Sequence, residues 1–194
     1  RSEGPGRDSI QAYGDWLVSF LDAAGIERAV LVGHSMGGGI GLDAALRYPE
    51  RVAGLGLVAT GAPLRVAPAI LEGFPQDPQE TIQLICDWTF GPEAPAELVR
   101  QGRRQMAEIS SDVIYDDFCA CNGFDVMDRL GEITTPAVVV CGTRDLMTPV
   151  KYSAHLRDHI SGAQMHLVEG AGHMVMLERP DAVVKVLAAF LETL

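Results

Sequence analysis

Residues 31–39 read "LVGHSMGGG", a single serine set among glycines directly behind the apolar run Ala29-Val30-Leu31-Val32. Gly33, Gly37, Gly38, Gly39 and Gly41 crowd around Ser35. A loop that needed only flexibility would use fewer glycines and would not sit between an apolar strand pattern and a helical one. Gly33-His34-Ser35-Met36-Gly37 matches G-x-S-x-G, a strand-to-helix turn tight enough to strain the serine backbone while turning its hydroxyl outward. The glycines remove side chains that would collide where strand and helix pass closely. Ser35 is therefore the candidate nucleophile.

Working outward, the surrounding patterns alternate. Asp8 or Ser9 can cap a helix whose apolar positions Ile10, Tyr13, Leu17, Phe20, Leu21 and Ala24 recur at helical spacing, with Gly25 as its stop. The run 29–32 is wholly apolar, as expected of a strand covered on both faces in a parallel sheet. A helix is expected from Met36 to Tyr48, ended by Pro49. Strand patterns follow at 53–59, 137–141 and 165–168, and helical patterns at 150–160 and 180–191. Strands and helices taking turns predict an α/β fold with a mostly parallel, doubly wound sheet.

One stretch breaks the rhythm. From Gly61 to Gly131 there is no strand pattern, and Pro63, Pro68, Pro75, Pro78, Pro92 and Pro95 punctuate helical pieces such as 78–90 and 96–108. The expected organisation is a core made of 1–61 and 131–194, with 62–130 as a helical insertion. Trp88, Phe90, Met106, Phe118, Phe124 and Met127 lie in the insertion. Such residues line the apolar wall of a ligand cavity or form the insertion's own core.

Composition narrows the function. The chain of 194 residues has 26 acidic against 15 basic residues, a formal net charge of -11, so a polyanion such as nucleic acid would be repelled. Its apolar stretches are far shorter than the roughly 20 residues of a membrane span. Cys86, Cys119, Cys121 and Cys141 match neither a disulfide framework nor a paired metal site, and read as reduced thiols of a cytoplasmic protein. His155 and His159 are four apart on an expected helix, and surface placement explains them better than zinc binding. No metal site is indicated, and no cofactor is expected.

A serine hydroxyl needs a base to take its proton and a third group to orient that base. Asp145 in "VVVCGTRDLMTP" lies just past an apolar strand, where α/β sheets carry their functional loops. His173 in "LVEGAGHMVMLERP" sits in a Gly-flanked loop after the last strand, unlike His34, His155, His159 and His166. The chain order Ser, Asp, His after successive strands favours these three as a catalytic set.

With "GHSMGG", "YPERVAGLGLVAT", "CGTRDLMTP" and "GAGHMVMLERPDAV" together, the chain resembles the α/β-hydrolase fold family, in the branch with a helical cap. The resemblance covers nearly the whole chain. It implies Ser35 as nucleophile, Asp145 as acid, His173 as general base and acid, and the backbone N–H of Met36 as an oxyanion-hole donor. His34, Trp88, Phe118 and Phe124 are the expected substrate-contacting residues. The implied activity is serine hydrolysis of a small or medium carboxylic ester, thioester or lactone. Carbon–carbon bond hydrolysis of a diketone or perhydrolysis of the haloperoxidase kind would use the same triad, and a non-catalytic ligand-binding or truncated member is a further alternative.

Members of the family carry several strands before the elbow, and a loop after one of them supplies the second oxyanion N–H. Arg1-Ser2-Glu3-Gly4-Pro5-Gly6 resembles the end of the "GHGRS"-type segment that follows those strands. On that reading the N-terminal strands, about 60 residues, are missing. The strand at 29–32 is then expected to present an edge that pairs with another chain, is exchanged between protomers, or is covered.

Overall fold

A computed structural model describes residues 6–194. The stretch Arg1 to Pro5, read above as the end of a pre-elbow segment, lies outside the described residues. The first helix, α1 (Ile10–Ala23), begins where the Ser9 hydroxyl accepts the N–H of Ala12 at 3.3 Å, and ends before Gly25, whose φ is 68°. Four strands follow, β1 (Ala29–His34), β2 (Val52–Val58), β3 (Ala137–Gly142) and β4 (Gln164–Val168). They form one sheet in the order β1-β2-β3-β4, every pair parallel, which is the expected α/β architecture.

The period of two along each strand sends side chains to two different cores. Leu55 and Leu57 of β2, with Ala137 and Val139 of β3, join Leu42 of α2 (Met36–Arg47) and Leu156 of α7 (Val150–His159) on one face. Val58, Val140 and Val168 meet Val183 of α9 (Pro180–Leu191) on the other. Helices thus cover both faces, α1 packing against α2. Among the described residues no helix is long and apolar enough to cross a membrane.

One expectation fails at β1. The all-apolar run predicts a strand covered on both faces, yet Val32 is 52% exposed. The reason is position: β1 is an edge strand of the described sheet, so only β2 pairs with it. Trp16 and Phe20 of α1, also exposed, stack with centroids 5.9 Å apart beside a groove that Val32 lines.

Between β2 and β3 lie α3 (Pro68–Gly73), α4 (Pro78–Thr89), α5 (Ala96–Ala107) and α6 (Ser111–Asn122). Ile70, Phe74, Ile82, Ile85, Cys86 and Ile114 form a separate small core there, with Trp88, Met106 and Phe118 packed against it. A single antiparallel bridge, Pro63 with Asp125, joins the two ends of the segment. The four cysteines are free thiols, and the tilted rings of His155 and His159 lie on α7 with centroids 3.9 Å apart.

Leu55 is 0% exposed between sheet and helices, whereas Val184 of α9 is 64% exposed. Leu55→Ala is expected to lower stability by about 2–5 kcal/mol through the cavity it leaves. Val184→Ala should stay within about 0.5 kcal/mol of the parent. Urea unfolding of both variants checks this, and equal midpoints would contradict the packing.

Candidate active site

The elbow is built by contact. A Cβ on Gly33 would fall 2.2 Å from the carbonyl carbon and oxygen of Gly37 and 2.5 Å from the nitrogen of Gly38, so the end of β1 and the first turn of α2 touch backbone to backbone. Ser35 bridges them with φ 51° and ψ -117°, a left-handed backbone that a non-glycine residue adopts only under surrounding constraint. That constraint is visible: the Ser35 N–H donates to Val58 O at 2.9 Å, and the Thr60 hydroxyl donates to Ser35 O at 2.7 Å. Met36 is the first residue of α2, whose opening N–H groups have no carbonyl within the helix and carry the positive end of its dipole.

Asp145 and His173 come from the loops after β3 and β4 and meet as a buried pair. The His173 Nδ1–H donates to Asp145 Oδ1 and Oδ2 at 3.1 and 3.0 Å. The carboxylate is held from behind by the N–H groups of Met147 and Thr148 at 2.9 and 2.8 Å and by the Thr148 hydroxyl at 2.8 Å. Burial raises the Asp145 pKa, but the bond and charge of His173 and the Thr148 bonds outweigh it, leaving the carboxyl below its ordinary range. Thr148 Oγ1 also lies 3.3 Å from His173 Nδ1. Thr148 escaped the sequence reading, although a threonine three residues after an aspartate is a local signal for such a bond.

A cavity of about 260 Å³ opens at this point, and both Ser35 and Thr148 line it. Trp88 and Phe118 form part of its apolar wall while also packing on the small core of the α3–α6 segment. Leu146, Met147 and Tyr152 add walls from outside the insertion, and Arg65 and Lys151 stand in its lining. Phe90 and Met106 line a different hollow, beside α5, and Met127 packs against the main core.

Two expected substrate contacts are placed elsewhere. Phe124 is 1% exposed within the main core, its ring 3.4 Å from where a Cβ on Gly39 would be, because α2 approaches closely enough to bury it. It is a packing residue and not a wall of the cavity. His34 donates from Nε2 to the His173 carbonyl at 2.9 Å, with ring centroids 4.6 Å apart, so it supports the loop that carries His173 and is absent from the cavity lining.

Burial, and then the neighbouring His173, push the His34 pKa down to about 4. The unfolded chain protonates this histidine near its ordinary value of 6.5. Its contribution to stability is therefore complete above the unfolded value and is lost as pH falls from about 6.5 towards 4. His34→Gln is expected to flatten this part of the stability profile. Denaturant titrations from pH 4 to 7 test it, and parallel profiles for parent and variant would refute the assignment.

Comparison with known proteins adds the lineage. Residues 1–186 match the model of the alpha/beta hydrolase family. A 2-hydroxy-6-oxo-6-phenylhexa-2,4-dienoate hydrolase from Comamonas testosteroni is 31% identical over 176 residues, which are 83% of this chain and 62% of that relative's length. A solved structure of a thermophilic esterase superposes with a TM-score of 0.91 at 33% identity, covering 100% of this chain and 77% of the esterase chain. Est816, described as an N-acyl homoserine lactone degrading enzyme, superposes at 0.86 with 28% identity over 98% of this chain and 78% of its own. A family match over almost the whole length joins a strained serine between strand and helix and a paired histidine and aspartate: this chain belongs to the alpha/beta hydrolase family.

Proposed function

We propose that the protein is a serine hydrolase that cleaves a small or medium carboxylic ester, thioester or lactone. The observation that carries this reading is the strained Ser35 opening into the same cavity as Thr148, whose hydroxyl touches the Asp145–His173 pair. In the proposed reaction Ser35 Oγ attacks the substrate carbonyl carbon while His173 Nε2 takes the hydroxyl proton. Asp145 keeps the Nδ1 proton in place and stabilises the imidazolium. The negative charge on the carbonyl oxygen faces the Met36 N–H and the positive end of α2. Collapse breaks the bond from the acyl carbon to the leaving oxygen or sulfur, which takes the proton from His173. Water, deprotonated by His173, then attacks the acyl-enzyme, and Ser35 regains its proton as the acid leaves.

Residues 62–130 act in this reading as a cap over a core made of 1–61 and 131–194, with Trp88 and Phe118 contacting the acyl or leaving group. The apolar wall at Trp88 and Phe118 suits a hydrocarbon chain. A second reading rests on the 31% identity to a 2-hydroxy-6-oxo-6-phenylhexa-2,4-dienoate hydrolase: the same residues acting on a carbon–carbon bond beside a ketone.

Hydrolysis of a short-chain p-nitrophenyl ester by this chain and by Ser35→Ala tests the first reading. A burst equal to the active enzyme concentration is expected from the parent and none from the variant. Asp145→Asn should retain the fold and lower kcat by about 10⁴-fold, since the base would lose its tautomer control. Equal turnover by parent and Ser35→Ala would overturn the assignment, and cleavage of a vinylogous diketone but not of esters would favour the second reading.

A further inference from the structure

Glu178, the last residue of the short helix α8 (Val175–Glu178), is only 7% exposed, and nothing in the proposed chemistry uses it. Its carboxyl group gathers backbone N–H groups from two separate loops. Gly172, the residue before His173, donates to Oε1 and Oε2 at 3.1 and 3.0 Å. Gly91, just past the end of α4, donates to Oε2 at 3.1 Å. Beside this, the N–H groups of His173 and Met174 donate to the carbonyl of Thr89 at 2.9 and 3.2 Å. The two loops have no room between them: a Cβ on Gly172 would lie 2.2 Å from Gly91 N, and one on Gly91 would lie 2.7 Å from Gly172 N.

The segment tied down on the far side is the one that carries Trp88 into the cavity wall, one residue before Thr89. Buried N–H groups on touching strands of chain need acceptors, and here a single side chain supplies them for both. We propose that Glu178 is a positioning residue for His173, its carboxyl group locking the histidine loop to the end of α4. The base and the wall at Trp88 then keep one fixed relation to Ser35. The proposal rests on the reading of Ser35, Asp145 and His173 as a triad. Glu93, exposed and paired with Arg179 at 2.8 Å on the neighbouring surface, bonds to neither glycine nor to Glu178 and provides a control.

Glu178→Gln keeps the shape but turns an N–H group towards backbone donors. Glu178→Asp keeps the carboxyl group and shortens its reach by one methylene. Two readouts on the folded fraction of the 194-residue chain are needed: the labelling rate of Ser35 by a small alkyl fluorophosphonate, and the downfield proton resonance of His173 Nδ1–H. Labelling is expected to slow about 10-fold or more in Glu178→Gln, as misplacing a reacting group does. The resonance should weaken or disappear, Glu178→Asp should fall between, and Glu93→Gln should match the parent. A folded Glu178→Gln that labels at the parent rate with an intact resonance, whatever its melting temperature, would reduce Glu178 to a stability role. If Glu178→Gln does not fold, Glu178→Asp is judged by the same two readouts. A parent chain that does not label at Ser35 would sink the triad reading instead, and the resonance alone would then decide on Glu178.

Discussion

The parallel ladder that pairs His34 with Val58, Val58 with Val140 and Val140 with His166 determines where every chemically important loop leaves the sheet. Because all four strands run the same way, the carboxyl ends of β1, β3 and β4 open on one edge. Ser35 follows β1 directly, Asp145 follows β3 by three residues, and His173 follows β4 by five. A shift of register would separate these loops and turn the buried side chains of the central strands towards the wrong face. The site is thus a consequence of strand pairing before it is a consequence of any single side chain.

On that edge, close backbone contacts convert proximity into fixed geometry. Gly33 against Gly37 holds the elbow, and Gly172 against Gly91 holds the histidine loop. Between them, Asp145 accepts bonds from His173, Met147 and Thr148, so its carboxylate has little freedom to turn. Such preorganisation is what electrostatic catalysis requires, since groups already aimed need not reorganise as charge develops. The α3–α6 segment enters this arrangement through Thr89 and Gly91 as well as through the cavity wall.

Much of this was legible in the sequence because its signals are local. Apolar runs of strand length, helical spacing, and glycines beside Ser35 and His173 are properties of neighbouring residues, and they place Ser35, Asp145 and His173 just after three strands. What escaped depended on distant packing. Phe124 resembles a cavity aromatic until the approach of Gly39 buries it, and His34 faces the carbonyl of a residue 139 positions away. Glu178 lay within a recognised segment, but no local pattern reveals that its partners include Gly91, 87 positions distant. Leu146, Met147 and Tyr152 line the cavity from the loop after β3 and from α7, outside the aromatic-rich insertion, and no local pattern marks them as walls. The exposure of Val32 likewise follows from its neighbour count in the sheet and not from its own apolar run.

The central claim is that Ser35 carries the acyl group of the substrate during turnover. The most direct measurement is acid quenching of the protein milliseconds after mixing with a p-nitrophenyl ester, followed by mass analysis of its peptides. The account predicts an added mass equal to the acyl group on the peptide containing Ser35, rising with the burst and decaying as substrate is exhausted. Ester turnover with that peptide unmodified at every time point, or with the acyl group on another residue, would contradict it.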